Sequence, residues 1–162
     1  MKFRKNGLST GTGVTGGGSN SAMEVLLIDD QAVTVQVYAA IVRRTFPGAR
    51  VVVALDLSEG LQIIAHRKID LVLLDLALQN TTGVQTLNKF RRACPTIPVL
   101  VVTAVEDKET IHACLKAGAV GYVPKTSAVQ TLRTALEAVV AGKLYIPPEA
   151  KLPHLKPAAN GN

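Results

Sequence analysis

Five short, almost wholly apolar runs constrain this chain more than any other feature: VLLID (25–29), VVVAL (51–55), LVLLD (71–75), VLVVT (99–103) and VGYV (120–123). A strand that is apolar at every position, rather than at every second one, has both faces covered, as in a parallel sheet between helical layers. Helix-like segments lie between the runs, at about 32–45, 58–68, 82–92, 107–117 and 127–141, and parallel neighbours require such crossovers. The expectation is an α/β fold: a doubly wound, five-stranded parallel sheet with five helices, for which 2-1-3-4-5 is one of the known strand orders.

The segment AVTVQVYAAIVRR (32–44) tests this expectation, because Val33, Val35 and Val37 alternate with polar residues as a strand would. A helix is expected there, since the parallel topology needs a crossover. Val33, Val37, Ala40 and Ile41 then form the buried stripe. Val35, Tyr38 and Val42 are left on the opposite side, as a candidate interaction face.

Length and composition fit one compact domain with short extensions. The chain has 162 residues, 48% of them hydrophobic, enough for a single packed core. No apolar run approaches the roughly 20 residues needed to span a bilayer, and no signal-peptide core follows the basic start at Lys2, Arg4 and Lys5. A cytoplasmic protein without a membrane partner is expected. Cys94 and Cys114 have no motif spacing to each other or to His66, His112 and His154, so neither a disulfide framework nor a zinc site is suggested.

The formal charge of +6 is carried mainly outside the central region. Residues 23–146 hold 13 basic and 11 acidic side chains, while residues 1–22 add three positive charges and 147–162 one. These are solvated flanks rather than a nucleic-acid surface. Residues 1–22, rich in Gly, Ser and Thr, read as a flexible leader or an added linker. They contain a G-x-G-x-x-G at Gly11, Gly13 and Gly16, but no strand precedes it and no helix follows, so it is not a dinucleotide site. Residues 23–146 form the domain, and 147–162 a tail or truncated linker.

Chemistry concentrates at the strand ends. Asp29 and Asp30 close the first run, Asp75 the third and Thr103 the fourth, and Lys125 follows the fifth. In a parallel sheet these are carboxyl ends along one edge, where ligands bind at the reversal of strand order. If strands one and three are neighbours, three carboxylates share a small space. Two such charges about 4 Å apart repel by about 1 kcal/mol in water and about 4 at an effective dielectric of 20. A divalent cation is the natural compensation, and Mg²⁺ favours a few carboxylates together with phosphate oxygens. An Asp carboxylate can accept a phosphoryl group, while Lys125 and the Thr103 hydroxyl can offset charge on its oxygens. Each residue also has an ordinary use: Asp30 as a helix cap, Asp75 as a strand-end polar group, Thr103 as a strand former, Lys125 as a loop cation. Their conjunction carries the argument.

The stretch 23–147 resembles the receiver domain of two-component response regulators, with a flavodoxin/CheY-like fold, and its details resemble the NarL/FixJ branch. The matching text is VLLIDD, DLVLLDLAL, TTGVQTL, IPVLVVTA, LKAGAVGYVPKTS and ALEAVVAGKLYIPPEA. The resemblance implies that Asp75 is the phospho-acceptor. Asp30 is implied as a direct metal ligand, Asp29 as its acidic neighbour and the backbone carbonyl of Ala77 as the remaining ligand for Mg²⁺ or Mn²⁺. Thr103 and Tyr122 match the switch pair, the aromatic side chain turning inward, and Lys125 the lysine of the site, its bond to the next residue often cis in receivers. Ala77 and Val105 fall at the two positions that tune dephosphorylation, and neither can hydrogen-bond a water through its side chain.

Gln79 stands where a proline is common, and Gln31 where the branch often has His. A sensor histidine kinase is the implied phosphoryl donor, and phosphorylation-linked homodimerisation the implied response. DNA would be reached only through a LuxR-type helix-turn-helix domain, which KLPHLKPAANGN does not supply. The protein is thus expected to be a phosphoryl acceptor with slow self-dephosphorylation, not an enzyme. Two other readings are a haloacid-dehalogenase-type phosphatase, whose D-x-D this sequence lacks, and a phosphorylation-independent interaction module.

Overall fold

A computed structural model describes residues 21–150. Nearly all of the leader, including Gly11, Gly13 and Gly16, lies outside the described residues, as do residues 151–162 of the tail. The chain runs β1 (Glu24–Ile28), α1 (Ala32–Thr45), β2 (Arg50–Ala54), α2 (Leu57–His66), β3 (Leu71–Leu74), β4 (Ala77–Leu78), β5 (Thr81–Thr82), α3 (Val84–Ala93), β6 (Val99–Thr103), α4 (Lys108–Lys116), β7 (Gly121–Pro124) and α5 (Val129–Val140). Five strands form one parallel sheet of order β2-β1-β3-β6-β7. This is the expected order, with a small antiparallel hairpin, β4 and β5, counted in between.

Each continuous apolar run serves both faces of the sheet. Leu26, Ile28, Val72, Leu74, Val99, Val101 and Tyr122 pack with Leu57, Leu87, Phe90, Ile111 and Cys114 from α2, α3 and α4. The alternate residues, Val25, Leu27, Leu71, Leu73, Leu100, Val102 and Val123, pack with α1 and α5. The strand reading of period and burial therefore holds, and β1, β3, β6 and β7 are buried at nearly every position.

In α1 the helix is as expected, but of the stripe expected to be buried only Ile41 is, and Val33, Val37 and Ala40 are exposed. Val42 is fully buried, Ala39 and Ile41 are buried, and Val35 and Tyr38 are half-buried against the same cluster. Val33 and Val37 are instead 76% and 44% exposed. The proposed interaction face of Val35, Tyr38 and Val42 is thus the core-facing side. Two apolar stripes compete on this helix, and only the position of α5 and the sheet decides between them.

A second difference is the hairpin. A helix expected from residue 82 begins at Val84, because Thr81 and Thr82 pair with Leu78 and Ala77. Gly83, at φ +65°, turns the chain from the hairpin into α3, a conformation that glycine adopts without the cost of a side chain. The packed chain also continues past the boundary expected at 146, with Pro147 and Ala150 buried.

Candidate functional site

The acidic site is set at the reversal of strand order, since β1 and β3 are neighbours but their outgoing connections lead to opposite edges of the sheet. Backbone pairing carries on one residue beyond each strand: the Asp29 N–H donates to Ala54 O at 3.1 Å and the Asp75 N–H to Ile28 O at 3.0 Å. Both aspartates are therefore held with strand geometry, side by side. Asp29, Asp30 and Asp75 each present a carboxylate oxygen, all within 4.8 Å of one another. Asp29 and Asp75 are buried and Asp30 is half-buried.

Lys125 completes the cluster. Its ammonium lies 2.7 Å from Asp29 Oδ2 and 2.7 Å from Asp75 Oδ2, and donates to Gln31 Oε1 at 3.2 Å. Its side chain is only 12% exposed, so these contacts are screened little by solvent. The Lys125 N–H donates to Thr103 O at 2.8 Å, which fixes the loop after β7 to the end of β6. Among the described residues no peptide bond is cis. The lysine reaches inward through trans backbone, contrary to the expectation of a cis bond beside it.

The electrostatics follow from burial. Desolvation raises the Asp29 carboxyl above its usual range, and the hydrogen bonds from Lys125 and the Gln31 N–H offset only part of that rise. Burial acts to lower the Lys125 ammonium, but its hydrogen bonds to Asp29 and Asp75 outweigh this and leave it raised. One ammonium faces three carboxylates. The negative excess and the oxygen-only donor set suit a small hard dication.

Thr103 is fully buried, and its hydroxyl has no hydrogen-bond partner among the described residues. An unpaired buried hydroxyl costs free energy, and an oxygen-rich ligand at this strand end would satisfy it. Tyr122 is also fully buried, turned inward, with its hydroxyl donating to Val105 O at 2.7 Å. Desolvation pushes its phenol upward. Ala77 is exposed two residues after Asp75, and its N–H donates to Asp75 Oδ1 at 3.1 Å.

Asp29, Asp30, Asp75 and Lys125 are thus brought together. Val35 and Tyr38 line a small cleft beside Asp29 and Asp75, so these two border the site instead of a free surface. Two contributions escaped the sequence reading: Gln31 as a partner of Lys125, and the Val105 carbonyl as acceptor for Tyr122. The position of Gln31, immediately after the acidic pair, was the only signal available for it. Asp30 makes no capping bond to α1; the Gln31 N–H donates to Asp29 Oδ1 instead, at 2.8 Å.

Such an arrangement defines a phosphoryl-accepting signalling domain of the doubly wound α/β class. The family of the response regulator receiver domain matches residues 25–137, and the chain belongs to it. It is a receiver of the two-component type, not a classical enzyme. It is 32% identical over 127 residues to the glycerol metabolism activator of Pseudomonas putida, covering 78% of this chain and 58% of that protein. Identity to the probable C4-dicarboxylate response regulator DctR of Bacillus subtilis is 36% over 115 residues, covering 70% and 50%. A LuxR family DNA-binding response regulator from Silicibacter pomeroyi superposes with a TM-score of 0.69 at 28% identity, covering 80% of this chain and 99% of that one. The chain thus spans about half the length of these two relatives. Among the described residues no helix is long and apolar enough to cross a membrane.

Proposed function

We propose that Asp75 is the acceptor residue of this receiver and takes its phosphoryl group from a sensor histidine kinase. The observation that carries the reading is the Asp75 carboxylate, buried at the strand-order reversal, 2.7 Å from Lys125 and grouped with Asp29 and Asp30. A carboxylate oxygen of Asp75 attacks phosphorus, the bond to the donor's imidazole nitrogen breaks, and an acyl phosphate remains. Lys125 already touches Asp75 and offsets charge on the transferred oxygens. Asp29, Asp30, Asp75 and the Ala77 carbonyl would hold Mg²⁺ or Mn²⁺, which supplies charge neutralisation when bound. The Thr103 hydroxyl, lacking a partner, gains one on a phosphoryl oxygen. Tyr122 is the aromatic half of the switch, and its inward position fits the state that this bond favours. Self-dephosphorylation is slow, because the side chains of Ala77 and Val105 cannot orient an in-line water.

The supposed outcome is a surface change read by a second copy of the chain or by an output domain, with transcription as the output in a longer protein. Acetyl phosphate with Mg²⁺ is expected to add one phosphoryl group, and Asp75→Ala to abolish the addition. Intact-mass spectra showing equal modification of the variant would overturn the assignment.

A further inference from the structure

Residues 143–150 do not leave the domain after α5. They turn back along the free edge of β7. Tyr145 pairs in parallel with Gly121, the Tyr145 N–H donating to Val120 O at 3.0 Å and the Tyr122 N–H to Tyr145 O at 3.3 Å. The approach is close. A Cβ on Gly121 would stand 2.8 Å from Leu100 Cδ1 in the core, 3.0 Å from Tyr145 Cβ and 3.1 Å from its carbonyl oxygen. Beyond the buried Pro147, a 3₁₀ turn (Pro148–Ala150) carries Ala150 into the core cluster that contains Tyr122, Ile111 and Cys114. Ala150 is 5% exposed, and its carbonyl lies 2.9 Å from Nε2 of His112 on α4.

The geometry points to a strap: residues 143–150 lie docked across β7 and α4 while Tyr122 is inward, so that the phosphorylation state of Asp75 sets how tightly the chain beyond Ala150 is held. The proposal rests on the acceptor and switch roles assigned above. Three contacts give it a physical path. The strap accepts a backbone hydrogen bond from Tyr122 itself, its last residue is buried in the same cluster as the Tyr122 ring, and it is tied to α4 through His112. An outward Tyr122 would remove buried surface from the pocket occupied by Ala150. A bond from Thr103 to the phosphoryl group favours the inward state, and therefore the docked strap, and the linkage is reciprocal. At the start of the edge strand, the strap also pairs backbone groups that would otherwise be offered to another chain.

Hydrogen-exchange mass spectrometry on peptides spanning residues 143–150 tests this in the full chain. Exchange is expected to slow several-fold once intact mass shows phosphorylation, and Asp75→Ala treated identically is expected to show no change. His112→Ala, which leaves the acidic cluster untouched, is expected to take the phosphoryl group yet exchange faster in this segment and lose most of the phosphorylation-dependent slowing. Ala150→Glu, which places a charge in the buried position at the end of the strap, provides the same test from the strap's side should His112→Ala fold poorly. Full phosphorylation with unchanged exchange in 143–150 would overturn the strap and leave the receiver reading standing. A chain that takes no phosphoryl group would remove both.

Discussion

At the scale of single residues, the site combines groups that any strand end might carry with a placement that only one topology produces. The residue identities at 29, 30, 75, 103 and 125 were readable because each ends or follows an apolar run, and parallel strands bring such ends to one edge. Gln31 and Val105 were not readable in their actual roles, because their contacts depend on where the Lys125 and Tyr122 side chains arrive. Ala77 and Val105 belong to the proposal of a long-lived acyl phosphate. Ala77 is exposed and Val105 half-buried, so larger polar side chains fit at both, and the Val105 carbonyl that binds Tyr122 survives substitution. The double variant Ala77→Asn with Val105→Glu is expected to lose its phosphoryl group several-fold faster than the parent while still accepting it. A Phos-tag time course with unchanged decay would remove side-chain polarity as the cause.

At the scale of elements, apolar periodicity located all five main strands and all five helices, but it was weakest where a segment carried two apolar stripes or a local pairing. In α1 the stripe of Val33 and Val37 competes with that of Val35, Tyr38 and Val42, and packing against the sheet and α5 selected the second. The β4–β5 hairpin is too short for a periodic signal. Its two residue pairs depend on the turn at Gln79 and Asn80 and on Gly83. Helix α2 shows a clearer local code. Asp56 Oδ1 accepts from the Glu59 N–H at 2.8 Å, and Glu59 Oε2 accepts from the Leu55 N–H at 2.8 Å. This satisfies donors that a helix start leaves free. Asp56→Ala is expected to cost about 1 kcal/mol of stability. In urea denaturation the midpoint should fall while the slope stays the same, and an unchanged midpoint would show that the cap contributes nothing.

For the whole molecule, the remaining question is which surface a second copy would use. Tyr145 pairs with the start of the β7 edge at Gly121. Among the described residues, Val33, Val37 and Val129 are 76%, 44% and 60% exposed, and Val37 and Val129 line one groove between α1 and α5. Self-association on phosphorylation is therefore expected through α1 and α5, using Val33 and Val37 in place of the residues first assigned. Sedimentation velocity should show a faster-moving phosphorylated form, and Val37→Glu should return it to the unmodified value without blocking phosphorylation. Equal sedimentation of both forms over a wide concentration range would count against dimerisation. The sequence by itself determined the α/β class and the strand-end residues of the site, because apolar runs and the residues that close them are local signals, while the strand order followed from the resemblance to receivers. Only the tertiary structure decided which side of α1 is buried, that Tyr122 is inward beside an unpartnered Thr103 hydroxyl, and that residues 143–150 return to β7. Each of these depends on contacts between segments far apart in the chain, for which no local pattern exists.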